Sequence, residues 1–159
     1  MRDTFTQVLR LGLAIVALAL VLYWVDSAFL RDKRMPACVQ EKLPPDRVCL
    51  DTVFLRWGGK VVWIDARSES DFELSHLLLP EPRMFPIRSG EFDKLFDEAL
   101  DRLQQAAERG EPVVVFCTGA CTAAKEIARR IKESDLVEAP IYVLEGGWDA
   151  IKRDGRLRY

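Results

Sequence analysis

Apolar residues are concentrated in one segment near the N-terminus. Between positions 8 and 30, 19 of 23 residues are apolar. Residues 11–25 carry no charge, but as a helix they reach only about 22 Å, against a hydrocarbon core of about 30 Å. Extending the helix to Leu30 covers that distance and leaves Tyr23 and Trp24 near an interface, where aromatic residues concentrate. The pattern therefore predicts one transmembrane helix over residues 8–30, after a short flank at residues 1–7.

A cleaved secretory signal is the competing interpretation of this segment. Residues 1–10 would then be its basic region and residues 11–25 its apolar region. The small residues expected before a cleavage site are poorly spaced, since only Ser27 and Ala28 are available, side by side. An uncleaved anchor is favoured. The basic residues on the two flanks are nearly equal in number, so they do not decide its orientation.

Strand-like and helix-like patterns alternate through the rest of the chain. Residues 31–46 are charged, contain prolines and lack periodicity, which predicts a linker before a domain at residues 47–159. Short apolar runs rich in β-branched residues predict buried strands at 60–64, 112–116 and 141–144, with a short extended piece at 84–87. Periodic segments predict helices at 51–57, capped by Asp51, and at 68–74, 91–109, 122–132 and 148–153. We expect an α/β domain with a small, mostly parallel sheet flanked by helices.

Composition and charge exclude several classes of function. The chain has 159 residues and a formal net charge of −2, with one histidine and four cysteines. That length allows one compact domain, and the near-neutral charge offers no basic surface for a nucleic acid. The cysteines and the histidine do not have the spacing of a zinc site, so no metal site is predicted.

The first two cysteines bear on the cellular compartment. Cys38 and Cys49 are eleven positions apart around a Pro-Pro sequence and can close a disulfide, which would imply an oxidising environment. Alternatively, Cys38 is an exposed linker thiol and Cys49 a small core residue. The disulfide interpretation weakly favours a domain outside the cytoplasm.

Cys117 is the best candidate for chemistry. It follows a predicted strand and begins a short loop that leads into a helix. Loops at the carboxyl ends of parallel strands commonly carry active sites, and a helix N-terminus lowers the pKa of a nearby thiol. A buried cysteine is also often just a small apolar residue.

Four motifs, taken in order, resemble those of the rhodanese-like family. They are VWIDARSESDF at 62–72, Ser75-His76, Phe116-Cys117-Thr118-Gly119, and LEGGW at 144–148. The resemblance covers residues 47–156 and implies a single-domain sulfurtransferase that carries sulfane sulfur, from thiosulfate or a persulfide, on a cysteine.

The resemblance also assigns roles to residues of this chain. Cys117 matches the nucleophile, while Asp65 and Arg67 match a structural Asp-x-Arg pair and His76 a structural histidine. The loop that would hold the persulfide with its backbone amides consists of Thr118, Gly119, Ala120, Cys121 and Thr122. The implied partners are sulfur donors and acceptor thiols, including protein-borne ones, and no metal or organic cofactor is called for.

The sequence departs from the family pattern at three places. Thr122 stands where many members carry a loop arginine, which predicts weaker binding of a dianion such as thiosulfate. Ala123 stands where the phosphatase relatives need an arginine to clamp phosphate, so phosphatase activity is disfavoured. The segment after His76 lacks the family's later Pro-Gly.

Cys121 is a second cysteine in the same loop. It can resolve a Cys117 persulfide, form a redox pair with Cys117, or simply pack under the next helix. Three functions therefore remain open: a membrane-anchored sulfurtransferase, a catalytically silent binding module, and a thiol–disulfide exchange site at Cys117 and Cys121.

Overall fold

The computed structural model describes residues 38–79, 83–119 and 121–159. The predicted transmembrane helix at residues 8–30 and its flank lie outside these ranges. Within them, no helix combines the length and apolar character needed to cross a membrane. Residues 38–159 form one compact unit.

Five parallel strands form the sheet of this unit, in the order β1-β5-β4-β2-β3. The strands are β1 (Arg47–Val48), β2 (Val62–Asp65), β3 (Met84–Pro86), β4 (Val113–Phe116) and β5 (Ile141–Leu144). Every residue of β2 and β4 is buried, as expected of strands covered on both faces. The predicted parallel α/β architecture is confirmed.

Five helices accompany the sheet within the described residues. They are α1 (Leu50–Trp57), α2 (Glu69–Leu74), α3 (Phe92–Glu108), α4 (Ala123–Glu133) and α5 (Gly147–Asp154). Successive strand residues point to opposite faces, so each face has its own core. Helices α3 and α4 cover one core, which contains Ile64 and Val115, and helices α1 and α5 cover the other, which contains Trp63 and Phe116.

Several predicted boundaries move by one or two residues. The prediction that Asp51 caps α1 is wrong: Cys49 occupies the N-cap, and Asp51 lies in the first turn, where its carboxylate still faces the positive end of the helix. The strand predicted at residues 60–64 begins at Val62, because Lys60 and Val61 complete the turn that follows Gly58.

The sequence pattern missed β1 altogether. Two residues are too few to show a periodicity, and β1 is defined by its pairing with β5, almost a hundred positions away. The segment before β1, predicted to be a linker, packs on the domain through Gln40. The side-chain amide of Gln40 donates to the Arg47 carbonyl at 2.9 Å and accepts from the Cys49 N–H at 2.8 Å.

Candidate active site

The loop between β4 and α4 begins at Cys117. Because the strands are parallel, this loop lies at the same edge of the sheet as the residues that follow β2 and β5. Cys117 is only 5% exposed, and α4 begins six residues later at Ala123. The free N–H groups of a first helical turn and the helix dipole favour negative charge here. Thr118, Gly119, Cys121 and Thr122 complete the described part of the loop, and Ala120 lies outside it.

A disulfide joins Cys117 and Cys121. Their Cα atoms are 5.9 Å apart, within the range that a disulfide requires. Cys121 is partly buried and also packs against the core beneath α4. The spacing of four residues therefore brings the two sulfurs into bonding contact, and this state is the oxidised form of the loop.

Helix α5 fixes the position of Cys117. The Trp148 N–H donates to the Cys117 carbonyl at 2.7 Å. Gly147 makes this approach possible, because a Cβ atom there would lie 2.1 Å from that carbonyl oxygen, and its φ of 50° also suits glycine. Gly119 is similarly close to α5, since a Cβ atom on it would lie 2.9 Å from an Asp149 carboxylate oxygen.

Asp65 and Arg67 form a buried ion pair at the end of β2. The Arg67 guanidinium donates to both carboxylate oxygens of Asp65 at 2.6–3.0 Å and to the Ser75 carbonyl at 2.6 Å. The same guanidinium lies 3.8 Å from the ring centre of Trp148. The pair thus connects the end of β2, the segment after α2 and the helix that positions Cys117.

His76 contacts α2. Its ring stacks on Phe72 at 4.9 Å, and its Nδ1 lies 3.1 Å from the Phe72 carbonyl oxygen, where an N–H can donate to it. These contacts agree with a structural role for the histidine.

A pocket opens beside the disulfide, and charged residues outside the loop contribute to it. Its lining includes Cys117 and Cys121 together with Arg47, Lys125 and Glu145. Arg47 forms an ion pair with Glu145 at 2.7 Å. Sequence reasoning did not identify Arg47 or Lys125 as site residues. Nothing local signals Arg47, which reaches the pocket only because β1 pairs with β5.

A second disulfide joins Cys38 and Cys49, with Cα atoms 5.7 Å apart. Cys49 is 1% exposed and precedes α1, whereas Cys38 is exposed. Through Cys49 and Gln40, this bond adjoins the backbone that carries Arg47. Among the described residues, no cluster of three or more His, Cys, Asp or Glu side chains is arranged to hold a metal ion.

Three solved structures that are similar to this chain share little sequence with it. An N-terminal domain of a putative ATP/GTP-binding protein from Clostridium difficile 630 is 22% identical, with 67% of this chain and 95% of that chain covered and a TM-score of 0.42. Ygr203w, a yeast protein tyrosine phosphatase of the rhodanese family, is 15% identical, with coverages of 68% and 84% and a TM-score of 0.50. The BH2092 protein of Bacillus halodurans is 15% identical, with coverages of 70% and 75% and a TM-score of 0.49.

The family assignment rests on the sequence itself. No curated protein matches the chain. The rhodanese-like domain matches residues 55–154, a range that contains β2 to β5, the Asp65–Arg67 pair and the whole Cys117 loop. The chain therefore belongs to the rhodanese-like domain family.

Proposed function

We propose that the protein is a membrane-anchored sulfurtransferase that carries sulfane sulfur as a persulfide on Cys117. The observation that carries this proposal is the position of Cys117, at the carboxyl end of β4 and before the N-terminus of α4. A thiol in that position is favoured as a thiolate, which is the nucleophilic form of cysteine. Membership in the rhodanese-like family supports the same chemistry.

The first step is attack of the Cys117 thiolate on the sulfane sulfur of a donor. A bond forms between the two sulfurs, and the bond between the sulfane sulfur and the donor breaks. The donor's remaining group leaves with the electron pair, as sulfite from thiosulfate or as a thiolate from a persulfide. From the family resemblance, we expect backbone N–H groups of this loop to hold the new anionic sulfur.

Two fates are open to the Cys117 persulfide. An external acceptor, either a thiolate or cyanide, can attack the outer sulfur and regenerate the Cys117 thiolate. Alternatively, Cys121 attacks the inner sulfur, hydrosulfide leaves, and the loop disulfide forms. The Cα separation of 5.9 Å supports this second route, because it lies within the range that the product requires.

The preference for a sulfur donor depends on the charges within the loop. Thr122 supplies no positive charge where many relatives carry arginine, and its side chain makes no capping hydrogen bond to α4. Lys125 also lines the pocket, but without a loop arginine beside it we expect a doubly charged donor such as thiosulfate to bind less firmly than in relatives that carry the arginine. We expect a persulfide donor, including one carried by a protein, to load Cys117 at lower concentration than thiosulfate does.

Thiol–disulfide exchange is the second candidate function, and the Cys117–Cys121 disulfide specifically favours it. In this case the loop exchanges two electrons with a partner dithiol and carries no sulfur. It predicts a measurable two-electron reduction potential that is lost in Cys121→Ser, together with the absence of any sulfur adduct on Cys117.

Mass spectrometry of the donor-treated protein distinguishes these functions. The reduced full-length chain is treated with thiosulfate or with a small-molecule persulfide, then alkylated and digested. We expect one added sulfur atom on the Cys117 peptide of Cys121→Ser and none on that of Cys117→Ser. The absence of added sulfur on Cys117 with every donor contradicts the sulfurtransferase.

The anchor is part of the same proposal, and it rests on the apolar residues 8–30. We propose that the domain lies outside the cytoplasm, because the Cys38–Cys49 disulfide is the kind of bond that persists in oxidising compartments. Thiol labelling of intact cells with permeant and impermeant reagents, after mild reduction, tests both points. Labelling of Cys38 by the permeant reagent alone contradicts the proposed orientation, and recovery of the chain in the soluble fraction contradicts the anchor.

A further inference from the structure

The two sulfurs of the loop disulfide differ in their surroundings. Cys117 is 5% exposed and belongs to the core cluster that α3 and α4 cover, together with Ile127 and Val115. Cys121 is only partly buried and packs against that cluster from its edge. An external reagent therefore meets Cys121 first.

The direction of attack reinforces this difference. A thiolate that breaks a disulfide approaches the attacked sulfur from the side opposite the bond that breaks. Attack on Cys117 must then come from the side away from Cys121, and we expect this path to be obstructed, because Cys117 belongs to the core cluster and is only 5% exposed. Attack on Cys121 meets less obstruction, because this cysteine is only partly buried.

The leaving group also favours attack on Cys121. Attack on Cys121 expels Cys117 as a thiolate at the carboxyl end of β4, six residues before α4 begins. The Thr118 hydroxyl is 3.8 Å from the Cys117 sulfur and can donate to it. A thiolate that accepts such a hydrogen bond is the better leaving group.

We propose that an external thiol reduces the loop by attacking Cys121, and that Cys117 leaves as the thiolate. The first step forms a mixed disulfide on Cys121. A second thiol attacks the external sulfur of that mixed disulfide, so that Cys121 leaves as a thiolate and the two external thiols become a disulfide. Two electrons enter the loop in this reaction. Cys117 is released as a thiolate, the form that attacks a sulfur donor. In that respect the proposal rests on the proposed function and deepens it.

The pocket beside the disulfide indicates the class of reductant. Its charged lining residues are Arg47, Lys125 and Glu145, and Arg47 is already paired with Glu145. Lys125 is exposed and forms no salt bridge in the described part of the chain, so its charge remains for a ligand. We therefore expect a thiol that carries a carboxylate or sulfonate to react faster than a cationic thiol.

The decisive experiment maps the mixed disulfide on the oxidised full-length chain. The probe is limiting 2-mercaptoethanesulfonate, followed by acid quenching, alkylation and peptide mass spectrometry. We expect the sulfonate on Cys121 and the alkyl group on Cys117, in at least tenfold excess over the reverse pattern. Equal or reversed modification overturns the proposal, and so does a loop disulfide that the probe does not reduce.

The rate of reduction provides a second measurement when the mixed disulfide is too short-lived to capture. We expect 2-mercaptoethanesulfonate to reduce the loop several-fold faster than cysteamine, and Lys125→Gln to lower that ratio about threefold. Lys132→Gln is the matched control, because Lys132 is an exposed lysine at the opposite end of α4 and should leave the ratio unchanged. A ratio that Lys125→Gln does not alter overturns the proposal.

No sulfur donor enters either measurement, so the outcome is independent of sulfur transfer. If Cys121 is the attacked sulfur but Cys117 never carries added sulfur, the proposed function fails and the exchange route stands. If Cys117 carries sulfur but the mixed disulfide forms on Cys117, only the assignment of Cys121 fails.

Discussion

The two disulfides of the domain have similar backbone geometry and different surroundings. Their Cα separations are 5.7 Å for Cys38–Cys49 and 5.9 Å for Cys117–Cys121. The first closes a segment of eleven positions that packs beside β1. The second closes four positions in the loop between β4 and α4.

The difference lies in what a released thiolate would face. Cys49 is 1% exposed and is the N-cap of α1, so the buried cysteine of each pair precedes a helix. Cys117 is comparably buried, but it also lines the pocket with Arg47, Lys125 and Glu145, and that lining includes neither Cys38 nor Cys49. Position in the fold, rather than the bond itself, therefore distinguishes the structural pair from the reactive one.

Removal of one sulfur from each pair should give the largest contrast. We expect Cys117→Ser to lower the initial rate of the thiosulfate:cyanide reaction about a thousandfold or more, because the nucleophile is lost. Cys49→Ser should keep the rate within about threefold, once it is corrected for the fraction of protein that is folded. Comparable losses in the two variants would mean that the pairs are not functionally distinct.

The approach of α5 to Cys117 provides a second way to disturb one region alone. Gly147→Ala should destabilise the domain by about 3 kcal/mol or more, since the new Cβ meets the Cys117 carbonyl. Gly155→Ala is the matched control: its φ is also positive, at 75°, but a Cβ atom there meets nothing within 4 Å, and we expect a cost of about 1 kcal/mol. Urea unfolding measures the loss of unfolding free energy in each variant. Equal losses would show that the backbone relaxes the close approach to Cys117 without penalty.

The rates of reduction should also separate the pairs. We expect 2-mercaptoethanesulfonate at neutral pH to open Cys117–Cys121 about tenfold faster than Cys38–Cys49, because Cys117 and Cys121 line the pocket that carries Lys125, whereas Cys38 and Cys49 do not. A time course of alkylation, resolved by peptide, measures both rates in one sample. Faster opening of Cys38–Cys49 would reverse the assignment of the reactive pair.

The smallest expected contrast is in the free energy of unfolding, and here Cys38–Cys49 is the pair with the larger effect. On chain-entropy grounds, the disulfide that closes eleven positions should stabilise the domain by about 3 kcal/mol and the one that closes four by about 2 kcal/mol. The double serine variants of each pair, unfolded in urea without reductant, test this difference. A greater loss from Cys117→Ser with Cys121→Ser would indicate that the loop disulfide also holds α4 in place.

The sequence predicted those parts of the fold that depend on local pattern. The runs at β2 and β4 are apolar at every position except Asp65, and the position of Cys117 after β4 followed from that pattern. Residues whose roles depend on distant contacts were missed. Arg47 reaches the pocket because β1 pairs with β5. Gln40 packs on the domain because its side-chain amide bonds the backbone of Arg47 and Cys49.

Cys121 illustrates the same limit within the site. A spacing of four positions in a loop allows a wide range of Cα distances, so the sequence left its role open, whereas the structure has the two sulfurs bonded. The departure at Thr122 could be recognised directly, because it is a single position compared with a family motif. The lysine in the first turn of α4 could not be assigned to the pocket until the fold placed it there.

The most direct test of sulfur transfer through Cys117 is a time course of intact mass after the reduced full-length chain is mixed with a persulfide donor, with excess reductant removed. The account predicts that wild-type protein first gains one sulfur atom, then loses it as hydrosulfide while Cys117 and Cys121 form their disulfide. Cys121→Ser should gain the sulfur and keep it. Formation of the disulfide without any earlier gain of sulfur, together with no gain in Cys121→Ser, would contradict the account.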